Sequence, residues 1–153
     1  MAIEATCSKY KKQNFIIGIV LLIGLGAYCT YDGYFNEKFR DMHTSNEGKP
    51  DSTLVFNQKA PFFCLAGAVA LAIWFAIAKN RKIVAESDGI VINGKEKLAY
   101  ESIEKIDKTY FESKGYFVVT YKDEAGKEVE RRFDDRAYDN LAAILDELVA
   151  KIS

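Results

Sequence analysis

The chain is poor in the residues from which reactive centres are usually assembled. It has one histidine, one tryptophan, two prolines and three cysteines in 153 residues. The histidine, His43, stands in a polar stretch with no cysteine or second histidine nearby, which argues for a solvated loop residue and against a metal or catalytic role. Cys7, Cys29 and Cys64 are far apart and show no pairing pattern, and Cys29 and Cys64 lie within or beside apolar runs. They read as small membrane residues, not as a disulfide or metal set. No GxGxxG, Walker-type loop, HExxH, CxxC or GxSxG occurs. Adjacent acids such as Asp123-Glu124 and Asp134-Asp135 suit turn tips and helix caps better than a general acid/base pair. No enzyme, cofactor or small-molecule substrate is expected.

An excess of positive charge is also missing. Lys and Arg number 21 against 22 Asp and Glu, and the signs are interspersed, so no cationic face for nucleic acid is expected. The charge is nonetheless unevenly distributed: residues 79–153 hold 14 of the 21 bases and 16 of the 22 acids. The apolar residues crowd into the first half.

Two runs there carry no charge. Phe15–Tyr31 is 17 residues long, at the short end of what crosses a bilayer core of ~30 Å, and Tyr28 and Tyr31 offer an aromatic interface at its far end. Ala60–Ala78 is the second run, with Pro61 expected in its first turn, where a missing N–H costs nothing, and Trp74 near its cytoplasmic end. Lys9, Lys11 and Lys12 precede the first run; Lys79, Arg81 and Lys82 follow the second. The positive-inside rule therefore expects both termini in the cytoplasm. A competing reading makes residues 1–28 a cleaved signal peptide; Tyr28 directly before Cys29 spoils a lipoprotein-type site, while Gly24 and Gly26 suit ordinary cleavage.

Every fourth residue of the second run is small: Ala60, Cys64, Ala68, Ala72 and Ala76. Such a stripe lets another helix approach closely, either the chain's own first span or a second protein. Between the runs, Tyr31, Tyr34, Phe35, Phe39 and Met42 recur at helical spacing, which predicts an amphipathic extension of the first helix. Thr44–Asp51 carries turn chemistry and predicts a loop.

Beyond Lys82 the periodicity changes to short alternating strands: Lys82–Glu86, Ile90–Ile92, Lys97–Tyr100, Ile106–Phe111, Tyr116–Lys122 and Lys127–Phe133. Asn93-Gly94 is a hairpin signal. Leu141, Ile144, Leu145, Leu148, Val149 and Ile152 form one apolar face of a closing helix, with Asp134 or Asp135 expected as its N-cap.

This order resembles small bacterial pleckstrin-homology-like (PH-like) membrane proteins, in which one or two transmembrane helices precede the domain. The resemblance rests on Ile83–Ile90, Leu98–Ile106, the long hairpin, and Phe133-Asp134-Asp135-Arg136-Ala137-Tyr138 leading into the helix. Six strands are one short of a full seven-stranded barrel, which implies a missing strand or an open barrel. The expected organisation is therefore α+β. It comprises a cytoplasmic segment (1–14), a transmembrane hairpin (15–31 and 60–78) joined by an external loop (32–59), and a cytoplasmic PH-like partial barrel capped by a C-terminal helix (79–153). The resemblance implies a bacterial inner membrane. The expected role is a non-enzymatic tethered interaction module that binds another membrane protein or itself. The alternative is a sensor of acidic lipid headgroups, for which Lys95, Lys97, Arg131 and Arg132 form the candidate patch, thinned by Glu96, Glu128 and Glu130.

Overall fold

The computed structural model of the chain describes residues 2–152. They form two compact units, residues 13–76 and residues 2–12 together with 77–152.

The first unit is a helical hairpin. Helix α1 (Lys9–Thr30) runs into a π-helical turn (Tyr31–Phe35), a short helix α2 covers Glu37–Met42, and α3 spans Ser52–Ala78. Two stretches, Lys9–Phe35 and Ser52–Ala78, are long and apolar enough to cross a membrane. Only 11% and 17% of their most apolar windows are buried, whereas the core helix of a water-soluble domain is mostly enclosed.

The hairpin differs from expectation in two places, each with a local cause. The first helix does not extend smoothly through Met42. It widens into the π-helical turn, where the Asn36 N–H reaches back to Tyr31 O, and breaks at Asn36, whose side chain accepts the Phe39 N–H at 3.3 Å and so caps α2. Likewise α3 starts at Ser52 and not near Ala60, because Asp51 Oδ1 accepts the Leu54 N–H at 2.9 Å and serves as the cap. Pro61 consequently lies inside the helix instead of in its first turn, and its missing N–H frees the Asn57 carbonyl.

That carbonyl lies against Gly33 of the π-helical turn, where an added Cβ would be 2.9 Å from Asn57 O. Gln58 Nε2 donates to Gly33 O at 3.3 Å and Tyr34 OH donates to Gln58 O at 3.0 Å. Gly33→Ala is therefore expected to cost about 1–3 kcal/mol by overpacking. Gly24→Ala, with nothing within 4 Å of the new methyl, is expected to be neutral or stabilising. Thermal unfolding of the two variants in detergent checks the contrast.

The second unit holds two antiparallel sheets. The first has the order β1 (Ile3–Thr6), β2 (Lys82–Ala85), β3 (Gly89–Ile92) and β4 (Glu96–Ala99); the second has β5 (Ile103–Asp107), β6 (Tyr116–Lys122) and β7 (Glu128–Asp134). The β3–β4 connection is Asn93-Gly94-Lys95 between the paired Ile92 and Glu96, with Asn93 and Gly94 both at positive φ (55° and 67°), the left-handed backbone that an Asn-Gly pair adopts readily.

Strand β1 corrects the expected boundary at residue 79. It pairs with β2 through Ile3↔Ala85 and Ala5↔Ile83, so the chain before α1 belongs to the same sheet as the chain after α3. Ala5 and Cys7 point inward, while Glu4 and Thr6 face out, the period-2 pattern of a half-buried strand.

Helix α5 (Leu141–Ile152) covers this sheet with Leu141, Ile144, Leu145 and Leu148 buried. It begins later than Asp134 or Asp135 would allow, because residues 136–140 are spent on β1. Asp139 N–H donates to Thr6 O (2.8 Å), Ser8 N–H donates to Ala137 O (3.0 Å), and Ser8 Oγ donates to Arg136 O. Lys9 N–H donates to the Asp139 carboxylate at 3.0 Å. Asp134 ends β7 instead, its Oδ1 accepting the Arg136 N–H at 3.0 Å. The strand expected at Ile106–Phe111 is shifted to Ile103–Asp107 and followed by a short helix α4 (Phe111–Lys114), which Gly115 terminates at φ 73°. Phe111 thereby packs edge-on against Phe117 at 5.7 Å, in the core between the sheets and α5.

Candidate functional site

Among the described residues no group of three or more His, Cys, Asp or Glu side chains has metal-binding geometry. Cys7, Cys29 and Cys64 are buried free thiols. His43 is engaged locally: its Nδ1 lies 2.7 Å from Asp51 Oδ2. The Leu54 N–H and the His43 ring hold the Asp51 carboxyl below the usual carboxylate range, so the ring supports the cap that starts α3.

The small-residue stripe divides. Ala60, Cys64 and Ala68 are buried, and a Cβ placed on Gly26 of α1 would sit 3.2 Å from Cys64 Cβ. From there the contact passes through Gly67 with Leu22 and Gly18 with Leu71 to the ring pair Phe15–Phe75 at 5.9 Å. A helix turns 3.6 residues at a time, so a stripe spaced at four drifts off a straight seam. Ala72 and Ala76 are accordingly exposed. Bulky side chains cover most of the rest of the hairpin surface, among them Leu21, Phe62, Phe63 and Trp74.

The four candidate headgroup cations do not converge as a free patch. Lys97 Nζ bonds Asp88 at 2.8 Å and lies 3.6 Å from Glu86. The Lys97 hydrogen bond holds the Asp88 carboxyl below its usual range, and Asp88 in turn raises Lys97. Arg131 is ion-paired with Glu96, linking β7 of one sheet to β4 of the other. Arg132 pairs with Asp134 at 2.8 Å. Lys95 alone of the four has no carboxylate partner among the described residues. Arg131 and Arg132, as neighbours on β7, also point to opposite faces.

A different group does assemble. The Arg132 guanidinium stacks 3.7 Å from the Tyr116 ring centroid, Tyr116 stacks on Tyr110 at 5.6 Å, and Lys114 Nζ lies 4.6 Å over the Tyr110 ring. Ser113, Lys114, Tyr116, Arg132, Asp134 and Arg136 line one shallow recess of about 400 Å³. Contiguous charge would not have revealed it, because its members come from α4, two strands and the loop that clamps β1.

Set beside known proteins, the chain matches no family model, no curated protein and no solved structure.

Proposed function

We propose that the chain is a non-enzymatic, membrane-tethered interaction module with a PH-like cytoplasmic domain, anchored by a two-span hairpin in a bacterial inner membrane. In this reading it serves as an accessory or scaffolding subunit of a membrane complex, or assembles with itself. The observation that carries the reading is the β1–β2 pairing across the hairpin. A strand before the first span and a strand after the second can share a sheet only if both lie in one compartment, so the number of crossings between them is even. The basic flanks then favour the cytoplasm for that compartment. The same pairing weighs against cleavage of residues 1–28, which would discard β1.

Counting β1, the described residues of the domain form seven strands in sheets of four and three, followed by a C-terminal helix. That count supplies the strand which the PH-like resemblance lacked. Support for an interacting hairpin comes from its surface: a thin internal seam, an outward apolar face, and the small side chain of Ala72 turned away from that seam, where a further helix can approach.

Reporter fusions test the topology. A periplasm-dependent reporter is expected to be silent at either end and active when inserted at Gly48. Activity at the N-terminal fusion would sink the reading. Purification of the full chain in mild detergent tests the role, with an oligomer or a co-purifying membrane protein expected. A bare monomer counts against it.

A further inference from the structure

We propose that the outer edge of β7 is a self-association surface, on which β7 of a second copy pairs antiparallel about a two-fold axis through Glu130. The ladder geometry identifies the free backbone groups. Asp123 N–H donates to Lys127 O at 2.9 Å and Asp135 N–H to Gly115 O at 2.8 Å, just beyond the two ends of the β6–β7 pairing. Hydrogen-bonded pairs recur every second residue in an antiparallel ladder, so Val129, Arg131 and Phe133 bond to β6. Glu128, Glu130 and Arg132 turn their backbone outward, and these three N–H and three C=O groups have no partner among the described residues.

The other edges are closed, short or irregular. Residues 136–140 cover β1, and β5 is bulged between Ile103 and Lys105. Strand β4 has four residues, and Ser102 Oγ already donates to Ala99 O at 2.7 Å. By contrast β7 runs for seven residues without proline, glycine, lysine or a bulge, the devices that usually blunt an exposed edge. Its inward charge, Arg131, is neutralised by Glu96.

Charge selects a second copy as the occupant. In the register centred on Glu130, every free N–H and C=O of each copy pairs, and Glu128 lies opposite the second copy's Arg132 on both sides of the axis. A slip of two residues one way sets Glu128 against Glu130 twice. The opposite slip sets Arg131 against Arg131 and brings Glu128 to Asp134, whose carbonyl the Ala137 N–H already occupies. The favoured register has one like-charged pair, Glu130 with Glu130 at the axis, which keeps the contact weak. The inference rests on the self-assembly reading above and deepens it by naming the surface.

Sedimentation of the full chain over a dilution series in mild detergent tests it, with a dimer expected. Glu128→Arg or Arg132→Glu alone is expected to weaken that dimer about tenfold, and the two together to restore it to within about threefold of the parent. Glu130→Gln is expected to tighten it about threefold. Glu130→Cys under a mild oxidant is expected to give a covalent dimer, because a hydrogen-bonded pair holds its Cα atoms about 5.5 Å apart, within disulfide reach. Glu112→Cys, exposed on α4, is expected to give none. An oligomer indifferent to all the β7 variants overturns the proposal and leaves the self-assembly reading standing. A monomer at every concentration overturns both. A different protein that co-purifies and is lost in Glu128→Arg and Arg132→Glu, with no dimer, also overturns the second copy as occupant.

Discussion

Removing residues 2–8 from the full chain is expected to leave residues 79–152 unable to complete their fold, although the deleted stretch lies on the far side of both apolar helices in sequence. Without it the outer edge of β2 is bare, α5 loses Ala5 from the layer it covers, and Arg136 O, Ala137 O, Asp139 N–H and Asn140 Nδ2 lose their partners Ser8, Thr6 and Glu4. Each lost hydrogen bond is worth about 0.5–1.5 kcal/mol net, so four such contacts are a large share of a stability of about 5–15 kcal/mol. A single substitution makes the same point with less disturbance. Ala5 is 0% exposed, and Ala5→Asp puts an unpaired carboxylate there at an expected cost of about 3–5 kcal/mol. Thr6→Asp, one residue on but facing out and across from Lys82, is expected to stay within about 0.5 kcal/mol of the parent. Limited proteolysis of the chain in membranes reads both variants: a protected C-terminal fragment in Thr6→Asp and none in Ala5→Asp. Equal protection would mean that β1 is dispensable.

Phe117→Ala is the second large effect. Phe117 is fully buried, stacked on Phe133 at 5.3 Å and edge-on to Phe111 at 5.7 Å. It ties β6 to β7 and to α4. Truncation is expected to cost about 3–5 kcal/mol, from lost transfer energy plus a cavity that the two neighbouring rings cannot close. Phe117→Leu keeps much of the volume and is expected to cost about 1–2 kcal/mol. Chemical unfolding of the full chain in detergent should show the loss in the β-rich transition while the hairpin retains its helical signal, because the two units have separate cores. A matched loss of both signals would mean that they unfold as one.

Much of this fold is legible in the residues where burial imposes a period. Two uncharged runs, the Asn93-Gly94 turn, the β-branched Tyr116–Lys122 and the stripe from Leu141 to Ile152 all reappear as helices, hairpin, strand and capping helix. What stays hidden has a common cause, since it depends on partners distant in sequence. Ile3, Ala5 and Cys7 alternate with Glu4 and Thr6, but so short a strand against a basic membrane flank carries little weight until Ile83 is seen opposite it. Asp134 and Asp135 look like caps because the bonds of Asp134 to Arg132 and Arg136 and of the Asp135 N–H to Gly115 O are invisible in one dimension, as is the use of residues 136–140 to hold β1. Pro61 reads as a helix start until Asp51 is found doing that work nine residues after Met42. Of the four basic residues read as a headgroup patch, Lys97, Arg131 and Arg132 each face a carboxylate that the sequence does not place, whereas Lys114 and Arg136 draw together only once α4 and the clamp loop are folded.

The pairing of β1 with β2 also sets an order of events during biosynthesis. Ile3–Thr6 precede both apolar helices in the chain, and the strand that completes them, β2, is translated only after both. During that interval β1 has no neighbour. On the proposed two-crossing topology, a chain threaded with an odd number of crossings would leave β1 and β2 in different compartments, where they never meet. On that topology, correct threading is a precondition for the β-unit to close, and misthreaded copies would present an unfinished sheet to the cell's proteases.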